Sequence, residues 1–119
     1  MVKRYTKFLL SLLLLLVFTV ITEATTVKVN YDVGFGNRIA IRGSKSPFSW
    51  SSGVNATWTT GNVWTYSWPN SVGDVEIKPL VNDSVWSKGS NYLIKSGASV
   101  DIYPFFYSTQ GNFDTTQYF

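Results

Sequence analysis

Along the chain, apolar and polar residues alternate in short runs, and the runs are separated by glycine, proline, asparagine and serine. Residues 25–33 place Val27, Val29, Tyr31 and Val33 on one face and Lys28, Asn30 and Asp32 on the other, the two-residue period of a half-buried strand. Gly34-Phe35-Gly36-Asn37 tolerates positive φ, and residues 38–42 alternate again through Ile39 and Ile41, so the two runs read as a hairpin. A loop rich in Gly, Ser and Pro follows at 43–53, with Phe48 and Trp50 expected as anchors beneath it. Residues 54–59 then alternate with Val54, Ala56 and Trp58 facing one way.

The second half repeats the pattern. Thr60-Gly61-Asn62 turns into a strand at 63–68 that is bounded by Pro69, and residues 70–73 turn into a strand at 74–80. There Val75 and Ile77 share a face, opposite Asp74, Glu76 and Lys78. After the Asn82-Asp83 turn come a very short strand or loop crest at Val85-Trp86, a strand at 91–95 and a last one at 100–106. The polar tail 107–119, with interleaved aromatics, is expected to add an edge strand or to be partly disordered. With no helical period after residue 24, the expectation is an all-β, immunoglobulin-like antiparallel sandwich of about seven or eight strands.

The first 24 residues read differently. Lys3, Arg4 and Lys7 precede an apolar run broken by Ser11 and Thr19, and Thr22-Glu23-Ala24 supplies small residues for cleavage. This is the pattern of a secretory signal peptide over residues 1–24, and the run is shorter than the about 20 apolar residues that span a bilayer. No stable membrane insertion is expected after cleavage, and one domain is expected over residues 25–119. The targeting segment also carries much of the formal charge of +3. The rest is nearly neutral, with charges scattered singly, and offers no basic stripe for nucleic acid.

Composition then narrows the chemistry. The chain has neither histidine nor cysteine, so disulfides, the usual zinc and copper ligand sets, and Ser-His or Cys-His nucleophile pairs are excluded. No run resembles a calcium loop, and neither a cofactor nor a metal is expected. Without disulfides a domain of this size needs a core rich in large rings. Asp74 and Glu76, two apart on one strand face, have a spacing that a retaining glycosidase could use, but such pairs are common on solvated strands. No catalysis is expected.

Tryptophan placement is the most informative feature. Four of the five tryptophans fall between Trp58 and Trp86. Trp86 lies between the polar turns Asn82-Asp83-Ser84 and Lys88-Gly89-Ser90-Asn91, where a large apolar side chain calls for a partner. Trp64 shares its face with Tyr66 and Trp68, which allows a core reading. Its place at the start of a strand, just after Gly61-Asn62, favours exposure. Trp58 and Trp68 are assigned to the core.

Three pieces of this stretch resemble the starch-binding domains appended to amylases and glucoamylases. Gly61-Asn62-Val63-Trp64-Thr65-Tyr66 is similar to a turn and strand that begin with a ligand-stacking tryptophan. Val75-Glu76-Ile77-Lys78 is similar to the family's aromatic-Glu-aromatic-Lys strand, with aliphatic residues in place of the aromatics. Asp83-Ser84-Val85-Trp86 with Asn91-Tyr92 resembles the segment carrying a second tryptophan and an asparagine. The resemblance covers about a third of residues 25–119. It implies that Trp64 and Trp86 stack on sugar rings while Lys78 and Asn91 hydrogen-bond hydroxyls, and that the ligand is an α-glucan such as starch or glycogen. No sugar contact is carried over to Trp50.

The chemistry is consistent with that division of labour. A pyranose has apolar C–H faces and a rim of hydroxyls. If each indole covers about 100 Å², it contributes about 2.5 kcal/mol at about 25 cal/mol per Å². Two platforms and two hydrogen bonds, less ordering costs of several kcal/mol, lead to a dissociation constant between about 10 µM and a few mM. Such a site works by avidity on a polymer. The expected protein is therefore a secreted, extracellular polysaccharide binder, with a separate glycan-active enzyme as a partner it could serve. The alternative is a structural or adhesion module whose aromatic patch meets a protein. Two sequons, at Asn55 and Asn82, are candidate glycosylation sites, and the second is four residues from Trp86.

Overall fold

The computed structural model describes residues 23–106. The tail 107–119 and the expected signal peptide, apart from Glu23 and Ala24, lie outside the described residues. Among the described residues nine strands form in chain order: β1 (Ala24–Asn30), β2 (Ile39–Gly43), β3 (Val54–Asn55), β4 (Thr57–Thr59), β5 (Val63–Pro69), β6 (Val75–Val81), β7 (Val85–Trp86), β8 (Tyr92–Ile94) and β9 (Ser99–Ile102). One sheet has the order β4-β5-β1-β9 and the other β3-β2-β6-β7, with β8 also paired to β6. The fold is an all-β sandwich, as the alternation predicts.

The inward positions of both sheets meet in one core. Val27, Val29, Trp64, Trp68 and Ile102 come from the first sheet; Ile39, Ile41, Val75, Ile77, Val81 and Ile94 come from the second. Phe48 joins them from the 44–53 loop, edge-on to Trp68 at 5.0 Å and 5.5 Å from Tyr66. It is the anchor that the loop was expected to have. Gly43, at the loop's root, has no room for a larger residue: a Cβ there would lie 2.8 Å from both the Glu76 carbonyl oxygen and the Phe48 Cβ. Gly43→Ala is therefore expected to destabilise the domain by about 1–3 kcal/mol through overpacking, read from the urea midpoint.

Two pairings differ from the sequence reading. Residues 25–33 and 38–42 do not form a hairpin: β1 pairs antiparallel with β5 and parallel with β9, whereas β2 pairs with β3 and β6. The chain crosses between sheets at Gly34–Asn37, where Asn37 N–H closes a turn on the Gly34 carbonyl at 3.3 Å. Alternation sets which residues face inward, but not which strand a run pairs with.

Residues 54–59 are likewise two strands in different sheets. Ala56, buried, sits between them and donates its N–H to the Ile39 carbonyl at 3.0 Å. This division accounts for a ninth strand. It also leaves Trp58 on edge strand β4, 55% exposed, correcting its assignment to the core. Trp68 is in the core as expected.

β1 begins before the expected cleavage point. Ala24 pairs with Pro69, and Glu23 receives the Asn70 backbone N–H on its carbonyl at 3.3 Å and the Asn70 side-chain amide on its carboxylate at 3.1 Å. Cleavage after Ala24 would leave a strand of residues 25–30 without these contacts.

Candidate functional site

The outer face of the second sheet is covered in part. Ala40 and Leu80 are out of phase with the core-facing Ile39, Ile41, Ile77 and Val81, yet both are fully buried. The 44–53 loop covers Ala40, since a Cβ added to Gly53 would meet the Ala40 Cβ at 2.9 Å. On β7, Trp86 is paired with Leu80. These two coverings bring a pair of tryptophans together.

The indoles of Trp50 and Trp86 lie with ring centroids 6.3 Å apart and planes tilted by 37°. They are 40% and 42% exposed. Trp50 was expected as an anchor beneath its loop; Phe48 takes that role, and Trp50, two residues on, faces outward. Arg42, adjacent to Lys78 in the β2–β6 register, places its guanidinium 5.1 Å from the Trp86 ring centroid.

Pro79 shapes the next part of the site. A proline cannot donate to a ladder, and opposite Lys78 and Pro79 the partner chain leaves β6 after Trp86 and returns at Tyr92. The intervening 87–91 loop is held by Ser87 N–H on the Pro79 carbonyl at 3.1 Å and by Lys78 Nζ on the Gly89 carbonyl. An ammonium has three donors, so Lys78 retains two for a ligand. Asn91 is exposed at the end of this loop.

The turn between β6 and β7 completes the frame. Asn82 and Asp83 both have positive φ, 54° and 53°, and Ser84 N–H closes on the Val81 carbonyl at 3.0 Å, a two-residue turn suited to a twisted hairpin. Asp83 accepts Arg42 Nε at 2.9 Å and the Gly53 N–H at 3.1 Å. The Arg42 hydrogen bond, foremost, holds the Asp83 carboxyl below the usual carboxylate range. A depressed carboxyl stabilises the fold above its unfolded value and loses that contribution as pH falls through its folded value, so the ion pair is intact at neutral pH. Asn82 accepts the Arg38 N–H at 3.0 Å and donates its amide to Asn37 at 2.8 Å; the exposed Asn55 accepts Arg38 Nε at 2.9 Å. One of the two hydrogens on the nitrogen that would carry a glycan on Asn82 is thus engaged.

Of the four expected sugar contacts, Lys78, Trp86 and Asn91 lie on β6, β7 and the loop that follows. Trp64 does not join them. It belongs to the other sheet and is only 9% exposed, as the first of the inward residues of β5. The alternation of Trp64, Tyr66 and Trp68 prevailed over its position at the end of the strand. Trp64 instead borders a cleft of about 460 Å³ with Phe35, Trp58 and Asn62, and its indole N–H has no hydrogen-bond partner among the described residues. The exposed indole beside Trp86 is that of Trp50. A signal for it was present: Trp50 is flanked by serines in a polar loop, the same context that singled out Trp86.

Asp74 accepts Ser96 N–H at 2.9 Å and Lys95 Nζ at 3.0 Å, which lower its pKa, the Ser96 bond foremost. A general acid requires the opposite shift. Among the described residues no three acidic, histidine or cysteine side chains group to hold a metal ion, and no helix is long and apolar enough to cross a membrane. No protein-family model matches the chain, and no curated protein matches it either.

Proposed function

We propose that this chain is a secreted, non-catalytic module that binds an α-glucan, such as starch or glycogen, on the surface formed by Trp50 and Trp86. The observation that carries the reading is the 37° tilt between two exposed indoles 6.3 Å apart. A flat cellulose chain is best served by coplanar platforms; a tilted pair suits the curvature of an α-1,4-linked chain. Lys78 and Asn91, on the adjoining strand and loop, supply polar contacts at the rim. The sequence resemblance to starch-binding domains supports the same ligand, with Trp50 in place of Trp64 as the second platform. The basic and apolar residues at the start of the sequence, with Thr22-Glu23-Ala24 after them, support secretion. A weak, polymer-directed binder of this kind would serve a separate glycan-active enzyme or coat a glucan surface.

A second reading has its own observation. Phe35 is wholly exposed at the tip of the 34–37 turn, beside the half-exposed Trp58. An apolar patch of that kind is also how an adhesion module would meet a protein partner.

The test is retention of the protein on insoluble starch and on cellulose, alongside a variant carrying Trp50→Ala and Trp86→Ala. Retention by starch alone, abolished in the folded double variant, is the expected result. Passage of the wild type through both would overturn the glucan reading and favour the protein partner.

A further inference from the structure

The two platforms stand on separate pieces of chain, Trp50 on the 44–53 loop and Trp86 on β7, and Arg42 contacts both. Its Nη1 donates to the Trp50 carbonyl at 3.0 Å, and its guanidinium lies over the Trp86 ring. Two further donors are used on one residue: Nε meets the Asp83 carboxylate at 2.9 Å and Nη2 meets the Asp83 carbonyl at 3.0 Å. The other carboxylate oxygen of Asp83 accepts the Gly53 N–H at 3.1 Å, at the far end of the loop that carries Trp50. The contacts form a closed circuit from β2 to the loop, to the β6–β7 turn, and back. Both side chains are largely shielded, 17% and 22% exposed.

We infer that Arg42, braced by Asp83, sets the angle between the Trp50 and Trp86 indoles and so determines which glucan curvature the pair accepts. This rests on the glucan reading of the same surface. The guanidinium occupies one face of the Trp86 ring, so a sugar must stack on the opposite face. Its planar fork fixes direction as well as distance, because three bonds and a ring contact are made by one rigid group. A lysine at this position would supply a point charge with rotatable donors and could not make all four contacts. Arg42 is thus a positioning residue: it acts on the ligand through the two indoles.

The experiment uses the whole secreted chain with Arg42→Met, Arg42→Lys and Asp83→Asn. Asparagine tolerates the positive φ of Asp83, so Asp83→Asn removes the charge of the brace and the acceptor for the Gly53 N–H without straining the turn. Two quantities are read. The first is the circular-dichroism couplet of the paired indoles, isolated by subtracting the spectrum of Trp50→Ala; it reports the angle with no ligand present. The second is the ratio of affinities for a cyclic α-1,4-glucan and a linear one of equal glucose number.

Arg42→Met is expected to abolish the couplet and to shrink the affinity ratio by about tenfold, equivalent to about 1.4 kcal/mol. Arg42→Lys should fail to restore either quantity, and Asp83→Asn should move both in the same direction by less. Should Arg42→Met fail to fold, Asp83→Asn decides. Retention of the couplet in the folded variants overturns the positioning role, and an unchanged ratio with an altered couplet overturns the selective one. A wild type that shows the couplet but binds neither glucan would overturn the glucan reading and the selectivity built on it, while the couplet still tests the bracing.

Discussion

Trp64→Ala is expected to cost the domain about 3–5 kcal/mol, the range for truncating a buried aromatic ring. The ring is an inward residue of β5, which lies between β4 and β1, and it contributes to the core shared by both sheets. Losses of this size are a large part of the total stability of a small domain. The urea midpoint should collapse, and glucan binding should be lost along with the fold. Trp64→Phe should be far milder. The indole N–H of Trp64 has no partner among the described residues, so phenylalanine forfeits no hydrogen bond to them. A Trp64→Ala variant that keeps the wild-type midpoint would contradict its place in the core.

Trp86→Ala is expected to do the reverse, leaving a folded protein that no longer holds glucan. At about 100 Å² of ligand surface per indole, its loss removes about 2.5 kcal/mol, or about 70-fold in affinity. Starting from a dissociation constant between about 10 µM and a few mM, the variant would fall near or beyond the limit of calorimetric titration with a soluble maltooligosaccharide. The midpoint should move by much less than in Trp64→Ala, since Trp86 is already 42% exposed. Full affinity in Trp86→Ala would rule out stacking on this ring. Trp50→Ala is expected to behave like Trp86→Ala, although its sequence neighbour Phe48 belongs with the buried class.

The contrast between these residues marks how far the sequence could be read. Alternation placed Val27, Val29, Ile39, Ile41, Val75 and Ile77 inward, and all of them are in the core. It also contained the answer for Trp64, whose phase with Tyr66 and Trp68 outweighs its position at the end of a strand. The sheet to which a run belongs is not written in its period. The crossing at Gly34–Asn37 and the break at Ala56 depend on long-range partners, Ile39 among them, that no local pattern names. Trp58 was misplaced for that reason, because a phase counted from Val54 through Ala56 does not survive a change of sheet.

The candidate site was partly legible for a related reason. Trp86, Lys78 and Asn91 are near one another in the sequence as well as on the second sheet, so a contiguous stretch could suggest them. Trp50 reaches Trp86 across a loop closure, and Arg42 reaches Asp83 across 41 residues. Proximity created by tertiary structure leaves only an oblique mark in the sequence. For Trp50 that mark was a large ring among serines; for Arg42 it was a lone charge in a strand whose outer face is otherwise buried.

The parallel pairing of β1 with β9 has a consequence for how the protein is made. β1 lies between β5 and β9, and the Thr25 hydroxyl receives the Gly97 N–H from 72 residues further along the chain. The first of the described strands therefore completes its ladder only when the last of them has been added. Folds dominated by such distant pairings are slow to reach the native state, on the order of milliseconds to seconds. Until β9 is made the first sheet lacks one of its four strands, so the β1 ladder cannot close on a partly synthesised chain.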